Sequence, residues 1–127
     1  PRSTRVRSSA ASDVYKRTGL ELHKDGEIAT IYALEEWFKT TGAHSRDCED
    51  ALDMIMSMQI VKVAFFIRFI NGACRVSLRS KNELDVSKIA SIFDGGGHFN
   101  ASGCTIDTKD VEVAKNLVLK EVIKYYG

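Results

Sequence analysis

No apolar run in this sequence approaches the ~20 residues a helix needs to cross a bilayer, and no signal peptide is visible. Charge of either sign is not in excess. Eighteen Lys and Arg against seventeen Asp and Glu leave a formal net charge of +1, so any basic binding surface has to be local. Cysteine is sparse: Cys48, Cys74 and Cys104 are odd in number, widely spaced and form no Cys-x-x-Cys pair. That argues against a zinc site or a disulfide framework and fits buried free thiols in a reducing cytoplasm. Also lacking are a nucleophile elbow, a Walker-type Gly-Lys-Ser/Thr and a His-x-x-x-His metal pair.

What remains is the composition of one globular domain of 127 residues. The first residue is not Met, and Pro1-Arg2-Ser3-Thr4-Arg5 reads as a cut end, so a piece of a longer protein is expected. Residues 1–18 are polar and basic with little periodicity and read as a linker; residues 19–127 read as the domain.

The most unusual stretch is Asp94-Gly95-Gly96-Gly97-His98-Phe99-Asn100-Ala101-Ser102-Gly103. Three glycines in a row cost backbone entropy on folding and call for a reason. Either the backbone turns with positive φ, or something approaches too closely for a Cβ, and bare successive N–H groups form a nest for anions. Coming straight after them, His98 reads as a binding or proton-transfer group rather than a core residue. The small residues Ala101, Ser102 and Gly103 would let another backbone or a ligand pack close.

Around this stretch the chain alternates strand and helix patterns. Asp25-Gly26 between apolar runs predicts a hairpin with a two-residue type I′ turn, with His23 exposed at a strand end. A short helical piece is expected over Glu35 to Thr40. Ser45 would cap a helix to about Met58, with Cys48, Leu52, Ile55 and Gln59 facing the core. The acids Asp47, Glu49, Asp50 and Asp53 would suit its dipole and line its outer face. Val61 to Ile70 is apolar on both alternating faces, the mark of a central strand covered on both sides. Asn71-Gly72-Ala73 turns it into Arg75-Val76-Ser77-Leu78-Arg79-Ser80. There Val76 and Leu78 point one way and Arg75, Ser77 and Arg79 the other, a face suited to phosphate or carboxylate because the guanidinium fork holds two oxygens. Asp85 would cap a helix with Val86, Ile89, Ala90 and Phe93 inward. Asp107 or Thr108 would cap a last one with Val111, Ala114, Val118, Val122 and Tyr125 inward. The fold expected is α/β: a mixed sheet of about five strands with helices packed against it.

Gly95-Gly96-Gly97-His98-x-x-Ala101-Ser102-Gly103, preceded by Val76-Ser77-Leu78-Arg79-Ser80, closely resembles the DHH-associated domain of DHH-type phosphoesterases over roughly residues 19–127. Among these, the chain is most similar to bacterial proteins that hydrolyse short oligoribonucleotides and 3′-phosphoadenosine 5′-phosphate, often labelled exopolyphosphatase-related. The resemblance implies a substrate-binding half whose metals, typically Mn2+, sit in an N-terminal DHH domain. No Asp-His-His occurs in this sequence. It further implies that Arg79 binds a substrate phosphate, that Gly95, Gly96 and Gly97 let the backbone close on the nucleotide, and that His98 contacts phosphate or orients the terminal nucleotide. Ser77, Ser80 and Ser102, with Ala101 and Gly103, complete the implied site. Asp94 departs from what a phosphate site favours unless it turns away. The implied partners are a short single-stranded RNA or nucleotide phosphate and the DHH domain of the same protein, with a homodimer left open. Two other readings stand beside this one: a phosphodiesterase for linear dinucleotides, and a non-catalytic RNA-binding module like that ending alanyl-tRNA synthetases.

Overall fold

The structure, a computed structural model, describes residues 19–33 and 45–126. The linker expected over residues 1–18 and the short helix expected at 35–40 lie outside the described residues.

Six strands form one mixed sheet in the order β1-β2-β3-β4-β6-β5. They are β1 (Gly19–His23), β2 (Ile28–Ala33), β3 (Val63–Ile70), β4 (Ala73–Ser80), β5 (Gly96–His98) and β6 (Ala101–Ile106). Only β2 and β3 run parallel, and the chain between them contains helix α1 (Ser45–Met56). Helices α2 (Val86–Ile92) and α3 (Val111–Tyr126) complete the described elements.

β3 explains the layering. Its two faces are both apolar, so each has to be covered. Val63, Phe65 and Ile67 pack with Val76, Leu78, Cys104 and Ile106 under α2 and α3. Ala64 and Phe66 pack with Ala29 and Ile31 under α1. All three cysteines are free and buried.

The turns follow local chemistry. Asn71 and Gly72 carry φ of 54° and 80° and join the paired Ile70 and Ala73, a two-residue loop of the I′ kind. The first hairpin differs from expectation. His23 pairs with Ile28, so the loop has four residues, and Lys24, Asp25 and Gly26 all take positive φ. The Gly26 N–H donates to His23 C=O, which puts Lys24 and Asp25 at the turn centre in place of Asp25 and Gly26. His23 is half-buried, with Nε2 3.3 Å from Thr30 Oγ1.

The helices are corrected in detail. α1 ends at Met56, leaving Gln59 exposed beyond it, while Ala51 fills the core position between Cys48 and Leu52. Asp47 is only 8% exposed, not on the outer face. α3 is capped by Asp110, whose carboxylate accepts the Glu112 N–H at 2.9 Å, and Thr108 braces Asp110 instead of capping. Tyr125 is 45% exposed, with the Lys88 ammonium over its ring, and lies outside the core. In its place α3 buries Lys115, whose Nζ donates to Glu21 on β1 at 2.8 Å and pairs with Glu112 at 2.7 Å. That ion cluster ties the last helix to the edge strand.

Candidate nucleotide-binding face

The buried side chains packed against α1 come from β2, β3 and Val61, not from β4, β5 or β6. Among the described residues, β6 and β5 are therefore open on that face, while α1 reaches β4 where Asp53 meets Arg79. Opposite residues of an antiparallel pair project to the same face, so the register reads directly as rows. In one row stand Ala64, Arg79, Ala101 and His98. The next row holds Phe66, Ser77, Gly103 and Gly96, and a third holds Arg68, Arg75 and Thr105. Arg79 and His98 thus share one row with only the methyl of Ala101 between them.

The glycine stretch is not a free loop. Helix α2 begins where Asp85 accepts the Ser87 N–H at 3.0 Å and where the Val86 N–H donates to Phe99 C=O at 2.9 Å. It ends at Phe93, followed by Asp94 with φ of 60°, and the Gly95 N–H donates back to Ala90 C=O. The glycines leave directly into edge strand β5, which accounts for the sixth strand. Asp94 is exposed at this helix end and belongs to none of the three rows.

The three glycines have different reasons. A Cβ at Gly95 would stand 2.2 Å from Gly103 O, and one at Gly97 would stand 2.6 Å from Ser102 Cα. Gly97 also has φ of 146°, which side chains rarely adopt. The fold itself requires both. A Cβ at Gly96 would meet nothing within 4 Å. Gly96 faces open space beside the Arg79–His98 row.

Not every candidate joins this face. Ser102 is buried on the opposite side, where its hydroxyl donates to Val86 C=O at 2.8 Å. Ser80 is also buried there, donating to Leu84 C=O and accepting from Asn100 Nδ2. Both hydroxyls anchor α2 and its approach, which corrects the expectation that they line one site with Arg79. Arg79, Ser77, Gly96, His98, Ala101 and Gly103 do come together, and Gly95 and Gly97 shape the strand beneath.

The Arg79 side chain is held but reachable, at 22% exposed. Nη1 donates to Leu78 C=O at 3.0 Å, and Nε lies 3.8 Å from Asp53 of α1. Arg75 crosses β6, donating from Nη1 to Thr105 Oγ1 at 3.1 Å. The sequence already put Arg75 on the Arg79 face, though outside the implied site residues, and gave Asp53 no part in it. The alternation that places Arg79 already signals Arg75; for Asp53 there is no comparable signal. Chemically the face offers fixed cations, small residues and a histidine. It does not offer a thiolate, because burial pushes Cys104 up to about 11 and Cys48 up to about 12.

The chain is 30% identical over 100 residues to the bifunctional oligoribonuclease and PAP phosphatase NrnA of Thermus thermophilus, covering 79% of this chain and 29% of that protein. An exopolyphosphatase-related protein from Bacteroides fragilis has the same fold, with a TM-score of 0.81 and 26% identity over 94% of this chain and 34% of that one. A pGpG-specific phosphodiesterase, PggH, from Vibrio shares the fold alone, with a TM-score of 0.69 at 12% identity over 95% of this chain and 40% of that one. The chain thus spans about a third of the length of its first two relatives. Residues 28–125 match the DHHA1 domain, and the chain belongs to that family.

Proposed function

We propose that this chain is the substrate-gripping part of a metal-dependent phosphoesterase that acts on short oligoribonucleotides or 3′-phosphoadenosine 5′-phosphate. The observation that carries the reading is the single row of Arg79, Ala101 and His98 on the open half of the sheet. A guanidinium and an imidazole flanking a methyl make a shallow seat for a phosphate, and Gly96 beside it leaves room for the nucleoside. Gripping one end of a strand on a sheet favours short single-stranded ligands.

Among the described residues no three His, Cys, Asp or Glu side chains are grouped to hold a metal ion, so this face does not fit one. In this reading the manganese belongs to the DHH domain of the same protein, and the residues described here bind and orient. The test is calorimetric titration of the chain with 3′-phosphoadenosine 5′-phosphate. Arg79→Ala and His98→Ala are expected to weaken binding about tenfold or more while still unfolding cooperatively. Unchanged affinity in both variants would refute the assignment.

A further inference from the structure

Arg75 is exposed on β4, and the way its side chain lies decides what it can hold. The chain leaves β4 and crosses to β6 along the sheet. Nη1 donates to Thr105 Oγ1 at 3.1 Å, and a Cβ at Gly103 would stand 3.3 Å from Nη2 and 3.7 Å from Cζ. Thr105 and Gly103 follow one another on this face of β6. The long axis of the side chain therefore runs across the strands, and its Nη1–Nη2 edge runs along one. Those two directions define the plane of the sheet. The planar guanidinium thus lies flat, with one side on the β6 backbone and the other towards solvent. Glycine at 103 makes this possible, because a larger side chain would lift the head off the strand.

The surroundings suit a flat ligand. Beside Gly103 on the edge strand is its partner Gly96, whose Cβ direction is empty. On β6 and β5, then, no side chain rises between the guanidinium plane and the row of Arg79, Ala101 and His98. Gly103 is two residues, roughly 7 Å along the strand, from Ala101 in that row. A ribose bridges that kind of span between a phosphate and its base. Bases stack on guanidinium planes as they do on aromatic rings. The rows on β5 and β6 carry no Phe, Tyr or Trp, and the His98 ring belongs to the phosphate seat. The Arg79 head is turned towards Asp53 of α1. Arg75 is the flat surface that remains.

We infer that the guanidinium of Arg75, lying on Gly103, is the platform on which the nucleobase stacks when a nucleotide seats one phosphate on the Arg79–His98 row. This rests on the nucleotide reading above and deepens it. One phosphate and one base occupy the face, and a second phosphate is left free for the metal centre. The experiment compares adenosine 5′-monophosphate with ribose 5-phosphate by calorimetry, using the unaltered chain, Arg75→Ala, Arg75→Lys and Phe99→Leu. The unaltered chain binds the nucleotide about tenfold tighter, the contribution of one stacked base. Arg75→Ala and Arg75→Lys both remove that difference and leave ribose 5-phosphate unchanged, since lysine keeps the charge and loses the plane. A full difference retained in Arg75→Lys, or an equal weakening of both ligands, marks a charge contact and overturns the platform. So does a difference lost only in Phe99→Leu, which would place the base on the exposed ring of the β5–β6 turn. No difference in the unaltered chain overturns the platform and leaves the phosphate seat standing. Binding of neither ligand by the unaltered chain overturns the nucleotide reading and the platform with it.

Discussion

Placing one methyl at each of the three glycines separates what the fold needs from what the ligand needs. At Gly95 the methyl would lie 2.2 Å from a backbone oxygen and 2.6 Å from Cys104 Cβ, so no side-chain rotation relieves it. At Gly97 it would lie within 2.9 Å of three atoms of Ala101 and Ser102, at a φ of 146°. Overpacking costs about 1–3 kcal/mol at either position and the strained φ a further ~1–3 kcal/mol at Gly97, against a total domain stability of about 5–15 kcal/mol. Gly95→Ala and Gly97→Ala should each lower Tm by about 10 °C or more. At Gly96 the methyl meets nothing, and replacing glycine there leaves stability unchanged or raises it by up to ~1 kcal/mol. Its cost should fall on the ligand: affinity for 3′-phosphoadenosine 5′-phosphate drops about tenfold as the methyl fills the trough. Thermal melts followed by calorimetric titration of all three variants give the answer. The reasoning fails if Gly96→Ala melts as low as the other two, or keeps full stability and full affinity.

Other substitutions probe the supports of the face. Ser102→Ala leaves the buried Val86 carbonyl without its hydroxyl donor and should cost about 1–2 kcal/mol in denaturant melts, with affinity per folded molecule unchanged. A direct role for Ser102 on the ligand would instead show as weakened binding. The Lys115 ammonium holds the Glu21 carboxyl below the usual carboxylate range, and Glu112 and Glu21 raise Lys115. The Glu21 contribution is therefore present above the ordinary carboxylate pKa and lost as pH falls through its lowered folded value. The Lys115 contribution is present below the ordinary lysine pKa and lost as pH rises through its raised folded value. Lys115→Ala should cost about 1 kcal/mol near neutral pH, since both acids are well exposed, and flatten both ends of the stability–pH curve. An unchanged curve would show that the cluster does not tie α3 to β1. Iodoacetamide at pH 8 should label none of the three buried thiols in the native chain and all three after denaturation, checked by intact mass. Native labelling would contradict their burial.

Much of the fold was legible because its signals are local. The double-sided apolar alternation of Val63 to Phe69, the Asn71-Gly72 turn and the Asp85 cap each act over a few residues, and each appears in the structure. The resemblance to DHH-associated domains rested on the Gly-Gly-Gly-His stretch and the Ser-Leu-Arg-Ser stretch, and the family follows from it. What stayed hidden depends on distant partners. Glycine carries no alternation pattern, so β5 could not be read as a strand until β6 paired with it. The burial of Lys115 on α3 has no local signal because its partner Glu21 is 94 residues away. Tyr125 matched the core spacing but lies on the last turn of α3, beyond the buried Val122.

Ser80 and Ser102 were a different case. Each is one residue from a member of the Arg79–Ala101 row, and the period of two sends it to the other face. The family resemblance implied one site for them with Arg79 and Ala101, which alternation excludes. The separate roles of Gly95, Gly96 and Gly97 had no counterpart in the sequence, because only the neighbouring backbone shows which missing Cβ would collide.

The central claim is that nucleotide phosphate sits on the open half of the sheet, and amide and ring NMR shifts on titration with 3′-phosphoadenosine 5′-phosphate test it most directly. The account predicts shifts concentrated on Arg79, Gly96, His98, Ala101 and Gly103, with Lys88, Lys115 and Tyr125 on the α2–α3 side unmoved. Shifts centred on α2 and α3, or no shifts at millimolar nucleotide, would contradict it.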